Sequence, residues 1–160
     1  MIECDSNCES CETKGTCTDP RKEMAEQLSA VSARMGKIKY KIMVASGKGG
    51  VGKSTVTVNL ARSLQSRGYK VGVLDADITG PSIAKLLGAE KSRLTGSPAG
   101  IEPVDSKGLK VISMAFALSG ADSAVVWRGP MKMAAIKQFM SDVNWGNLDF
   151  LIIDLPPGTS

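Results

Sequence analysis

The eight residues at 47–54, GKGGVGKS, hold four glycines and two lysines directly after the apolar run "YKIMVAS". Glycines at this density let successive backbone N–H groups turn toward one centre, because the turn needs positive φ and any Cβ would crowd what the amides surround. The spacing fits G-x-x-x-x-G-K-[ST], with a strand pattern before it and a helix pattern after it, which is the context the motif requires. Its chemistry is phosphate binding. Amides of Gly47, Lys48, Gly49, Gly50, Val51 and Gly52 form the cradle, and the start of the following helix, Lys53, Ser54 and Thr55, adds positive partial charge. Lys53 is expected on the β- and γ-phosphates and the Ser54 hydroxyl on Mg²⁺. Lys48 comes five residues before the motif's own lysine, and spacing alone makes it a solvated loop residue.

Carboxylates supply the remaining chemistry, since the chain contains no histidine. "FLIIDLPPG" puts Asp154 at the end of an apolar run, the position of a second Mg²⁺ partner; a strand-terminal turn aspartate is the alternative. In "VLDADITGPS", Asp75 and Asp77 lie two apart, so the strand period points both toward the mouth where such sheets bind nucleotides. Asp77 is the candidate for orienting or deprotonating an attacking water and Asp75 for supporting Mg²⁺, with helix capping as the competing use of either. Cys4, Cys8, Cys11 and Cys17 form C-x3-C-x2-C-x5-C in a polar N-terminus. In a reducing compartment four such thiols read as metal ligands. Iron–sulfur and zinc both suit them; a single C-x-x-C knuckle favours iron–sulfur over the two knuckles usual for zinc modules.

These residues need elements to position them. The 160 residues are 42% hydrophobic and 22% charged, the profile of a globular chain. Three regions are expected: a cysteine-rich metal segment at 1–18, a helix and linker at 19–39, and a nucleotide-binding domain at 40–160. "DPRKEMAEQLSAVSARMG" reads as a helix with Asp19 as N-cap, Pro20 at the first helical position, Met24, Leu28, Val31 and Met35 on one face, and Gly36 as its stop. "YKIMVAS", "KVGVLDAD", "LKVISMAF" and "LDFLIIDLP" are continuous apolar runs, as in strands of a parallel sheet covered on both faces. "KSTVTVNLARSLQSRG" places Val56, Leu60, Ala61 and Leu64 on one helical face, and "PMKMAAIKQFMSDV" does so for Met133, Ile136, Lys137 and Met140. The fold class is α/β, a doubly wound, mostly parallel sheet. The glycine-, serine- and proline-rich stretch at 88–108 reads as an excursion with one short strand at "GIEPV".

A formal charge of +4, with "RMGKIKYK" as a solvated face, gives no reason to expect nucleic acid. No apolar run approaches the roughly 18 residues of a membrane span, and the N-terminus lacks a signal-peptide pattern, so a cytoplasmic protein without a membrane partner is expected.

"SGKGGVGKST", "LDADITGPSI", "ADSAVVWRGPMK" and "LDFLIIDLPPGTS" together resemble the Mrp family of iron–sulfur cluster carrier ATPases, in the wider group that includes MinD, ParA and nitrogenase iron protein. The resemblance runs from Ile38 to Gly158. It implies a P-loop ATPase fold, binding of ATP with Mg²⁺, a homodimer or related hetero-oligomer, and apoproteins as cluster acceptors. For Lys48 it implies a reach across the dimer to the nucleotide of the partner subunit. The cysteine spacing, above all its C-x2-C-x5-C part, is similar to the NBP-type branch, whose thiolates hold a [4Fe–4S] cluster. Members of the family continue well past "DLPPGT", so the resemblance also implies that the sequence is the N-terminal part of a longer form, with ATPase activity belonging to that form. The alternatives are a ParA- or MinD-like positioning ATPase and a zinc-stabilised fragment without hydrolysis.

Overall fold

The computed structural model describes residues 20–78, 80–98, 100–116 and 129–158, with side chains from 28 onward in the first helix and from 133 onward in the last. In chain order the elements are α1 (Pro20–Met35), β1 (Ile38–Val44), α2 (Lys53–Ser66), β2 (Val71–Asp75) and α3 (Ile83–Leu86). There follow β3 (Thr95–Ser97), β4 (Gly100–Glu102), β5 (Val104–Ser106), β6 (Leu109–Ser113), a 3-10 turn at Met114–Phe116, α4 (Gly129–Asp142) and β7 (Leu148–Asp154).

Five strands form one sheet in the order β1-β7-β2-β6-β5. The first four are parallel, and β5 closes one edge antiparallel to β6. Register decides what stands at the carboxyl edge. Val44 and Asp75 both lie opposite Asp154, and Ser113 lies opposite Asp75, so one row reads Val44, Asp154, Asp75, Ser113.

Both faces are covered, which explains the continuous apolar runs of the central strands. On one side Leu74, Leu151 and Ile153 pack with Met35 of α1 and with Phe139 and Val143. On the other, Val71, Val73 and Ile152 pack with Ala61 of α2 and Ile83 of α3. All five β2 residues are buried. Gly72 sits among them because a Cβ there would fall 2.6 Å from Leu148 Cδ1 and 3.0 Å from the Trp145 ring.

β1 departs from the expected pattern. It begins two residues before Tyr40, at Ile38, and lies at the sheet edge, with Lys39, Tyr40 and Lys41 exposed and Met43 68% exposed. The "RMGKIKYK" face is solvated in part: Lys39 pairs with Asp149 at 2.6 Å, and Lys41 donates to Met35 O at 3.0 Å. Tyr40 and Tyr69 flank Phe150, one stacked and one edge-on.

The helices form where expected, but their buried stripes are narrower. α1 stops at Gly36, whose amide donates to Ser32 O, and it buries Met35 and packs Val31 while Leu28 stays 56% exposed. Asp19 and the side chain of Met24 lie outside the described residues. On α2 the core stripe runs through Thr57 and Ala61, and Val56 is exposed; five residues of helix turn Val56 well away from Ala61. Gly68, with φ of +88°, ends that helix, and the Tyr69 amide reaches back to Leu64 O. On α4 the core-facing residues are Ala135, Ile136, Phe139 and Met140, and Met133 is exposed. "GIEPV" becomes two strands, β4 and β5, on either side of Pro103, which has no N–H for a ladder.

Candidate functional site

The connection from β1 to α2 forms the glycine loop. Gly50 and Gly52 have φ of +74° and +88°, in the left-handed region where L side chains are strained. A Cβ on Gly47, Gly49, Gly50 or Gly52 would meet no protein atom within 4 Å, so packing does not demand these glycines. Backbone conformation and an open approach do. The loop is braced from one side: Ser46 Oγ donates to Lys48 O at 2.9 Å, and the Gly158 amide donates to Ser46 O at 3.0 Å. Gly52 is the N-cap of α2 and provides no side-chain cap, which leaves the first helical amides without a side-chain acceptor.

A cleft of about 400 Å³ opens in front of the loop, with Lys48, Lys53, Ser54, Thr55, Asp77 and Lys85 in its lining. Behind Lys53 and Ser54 lies Asp154, which has no exposed surface. Three donors converge on that carboxylate. Ser54 Oγ donates to Oδ2 at 2.6 Å, Thr57 Oγ1 to Oδ1 at 2.9 Å, and the buried Lys53 ammonium lies 2.8 Å from Oδ1. The lysine contact is one of charge. Among the described residues no acceptor is aligned with the N–H bonds of Lys53, so its donors remain available to another anion. That orphaned ammonium fits phosphate, and the adjoining Ser54 hydroxyl and Asp154 carboxylate are the hard oxygen donors that suit Mg²⁺.

Asp75 and Asp77 do not share an environment. β2 ends at Asp75, so the strand period does not extend to Asp77, and the expectation that both face the mouth is corrected. Asp75 is 1% exposed and fully engaged: Oδ2 accepts from Ser113 Oγ at 3.0 Å and from the Ile83 amide at 3.3 Å, and Oδ1 accepts from the Asp77 amide at 3.2 Å. Burial pushes its carboxyl up to about 6 against the pull of those hydrogen bonds. By holding the first amide of α3 it does what a capping aspartate does. Asp77 stands past the strand end, half-buried, on the cleft, with Oδ1 accepting from the Gly80 amide at 3.2 Å.

Three residues near the site were not singled out from sequence: Thr57, Ser113 and Lys85. A threonine four residues before Ala61 on the apolar stripe of α2 was the available signal for the first. Ser113, buried at the end of β6, becomes visible only through strand register. Cys4, Cys8, Cys11 and Cys17 lie outside the described residues, as do 117–128 and the chain end at 159–160. Among the described residues no group of three His, Cys, Asp or Glu is placed to hold a metal ion.

Residues 37–160 match the family model of the ParA type described as NUBPL iron-transfer P-loop NTPase. The chain belongs to this family. It is 54% identical over 160 residues to the iron-sulfur cluster carrier protein of Methanocaldococcus jannaschii, an alignment covering 99% of this chain and 55% of that protein. It is 49% identical over 140 residues to the cytosolic Fe-S cluster assembly factor CFD1 of Saccharomyces cerevisiae, covering 84% and 48%. Among solved structures, the nucleotide-binding protein from Archaeoglobus fulgidus in complex with ADP superposes with a TM-score of 0.73 at 46% identity, over 82% of this chain and 50% of that one. The chain thus spans about half the length of these relatives, and its α/β architecture with a phosphate loop is that of the family.

Proposed function

We propose that the protein is an ATP-binding and ATP-hydrolysing carrier or scaffold for iron–sulfur clusters that passes them to apoproteins in the cytoplasm. The observation that carries the nucleotide half is the buried Lys53 ammonium, ion-paired with Asp154 but without a hydrogen-bond partner among the described residues, at a helix start that has no side-chain cap. Kinship with proteins named as cluster carriers supports the cargo half.

In this reading the loop amides and Lys53 hold the β- and γ-phosphates. Ser54 would offer a lone pair to Mg²⁺ while its hydroxyl proton stays on Oγ and is donated to Asp154 Oδ2, so a single hydroxyl would serve both neighbours. Bound Mg²⁺ neutralises charge on the phosphate oxygens. Asp77, on the cleft wall, orients the attacking water. Asp75 supports the ion from behind, through the loop it anchors. Lys48, on the cleft rim, acts on the nucleotide of a partner subunit in a dimer. Cys4, Cys8, Cys11 and Cys17 ligate a [4Fe–4S] cluster.

Anaerobic reconstitution of the full-length protein with iron and sulfide tests the cargo. The expected product is brown, carries iron by metal analysis, and loses it when Cys8 and Cys11 are changed to Ser. Colourless protein that retains zinc would contradict the reading. Transfer to an apoprotein acceptor should depend on ATP and fail in Lys53→Ala.

A further inference from the structure

Of the donors around Asp154, Thr57 is the one with no part in holding the nucleotide. It lies on the buried stripe of α2, one turn beyond Lys53, with no exposed surface. Its Oγ1 is 2.9 Å from Asp154 Oδ1 and 3.1 Å from Lys53 O. A hydroxyl has one proton and two acceptors compete for it here; the carboxylate, being charged, takes the larger share.

Lys53 has a prospective second partner in phosphate, and Ser54 has one in Mg²⁺. Both will therefore divide their interaction with Asp154 once ligand is present. Thr57 is walled off from the cleft by its burial, and its other acceptor, Lys53 O, is a carbonyl of its own helix that no ligand changes. We propose that Thr57 is a positioning residue that fixes the Asp154 carboxylate in one orientation whether or not nucleotide is bound, keeping Oδ2 turned to Ser54 and the metal side. The inference rests on the reading of Asp154 as part of the metal site.

The geometry gives the role its direction. Thr57 engages Oδ1 and Ser54 engages Oδ2, so the two hydroxyls pin the carboxylate at both ends. With Thr57 gone, one oxygen is held by the Lys53 ammonium alone, and that contact is not an aligned hydrogen bond. When phosphate draws the ammonium, the carboxylate is free to rotate about its last side-chain torsion, which is broad and weakly restrained in aspartate.

The test compares wild type, Thr57→Val and Thr57→Ser in the full-length protein. Calorimetry gives the affinity for a non-hydrolysable ATP analogue with excess Mg²⁺ and again in chelator, and the readout is the ratio of the two. Thr57→Val should lower that ratio on the order of tenfold, the worth of a hydrogen bond to a charged group, while leaving the Mg²⁺-free affinity within about twofold. Thr57→Ser should restore it. If Thr57→Val does not fold, by circular dichroism, Thr57→Ala takes its place with the same expectation. A wild-type ratio above one that the Val or Ala variant retains overturns the role of Thr57 alone. So does an equal fall of both affinities that Ser does not repair, because that is the signature of packing. A wild-type ratio of one overturns the metal reading itself, and the proposal with it.

Discussion

Asp75 and Asp154 stand side by side at the ends of β2 and β7, directly opposite each other in register, and both are buried. Their surroundings differ in kind. Asp154 is met by an ammonium and two hydroxyls, groups that bear charge or can change partners. Asp75 is met by two backbone amides and a serine hydroxyl, groups that tie loops in place, and burial raises its carboxyl to about 6. One row of the sheet therefore holds a residue of the chemistry and a residue of the scaffold. Neighbouring positions and identical side chains do not imply shared work; what each carboxylate is hydrogen-bonded to does.

The largest expected effect comes from removing the ammonium that defines the Asp154 side. Lys53→Ala should abolish detectable ATP binding in calorimetry. It should also destabilise the fold by roughly 3–5 kcal/mol, because Asp154 is left as a buried charge without its cation. Undiminished nucleotide affinity would remove the main distinction between the two aspartates.

Lys48 gives the next largest effect and separates binding from turnover. A lining residue of the cleft, it is expected to act only between subunits. In the full-length protein Lys48→Ala should leave ATP affinity largely intact and reduce the hydrolysis rate by ~10³-fold. Turnover measured against protein concentration checks this. A rate independent of both concentration and Lys48 would make it a solvated loop lysine.

Asp75 should show a smaller effect with a defined pH signature. Its folded value of about 6 lies above the 3.8 of a free aspartate, so between these values the folded state binds more protons than the unfolded one. The associated stability is present below about pH 4 and is lost as pH rises through about 6, on the order of 2–3 kcal/mol in all. Asp75→Asn lacks this titration. Chemical denaturation of nucleotide- and metal-free protein should show wild type losing stability relative to the variant from about pH 4 to pH 6, with a constant difference above pH 7. Parallel profiles would mean that Asp75 is not buried as an acid.

The phosphate loop could be read from sequence because its constraint is local: two positive-φ glycines, an open approach and a helix start all fall within 47–54. Asp154 was legible for a similar reason, as an acid closing an apolar strand. The roles of Asp75 and Asp77 were less so, because periodicity does not say at which residue a ladder ends. Two residues of difference put Asp75 at the buried strand end and Asp77 on the cleft. Thr57 and Ser113 were missed because a hydroxyl on an apolar stripe or strand looks like a tolerated small residue until its partner, ninety-seven positions away for Thr57, comes into register. Helical spacing puts Val56 and Met133 on buried faces that the helices keep narrower, and Phe139 carries the packing on α4 in place of Met133.

The division of labour between the two aspartates is tested most directly by one comparison, the Mg²⁺-dependent gain in affinity for an ATP analogue in wild type, Asp154→Asn and Asp75→Asn. Asp154→Asn should lose most of that gain, at least about tenfold, whereas Asp75→Asn should keep it within a few-fold. Retention of the gain in Asp154→Asn, or its greater loss in Asp75→Asn, would contradict the account.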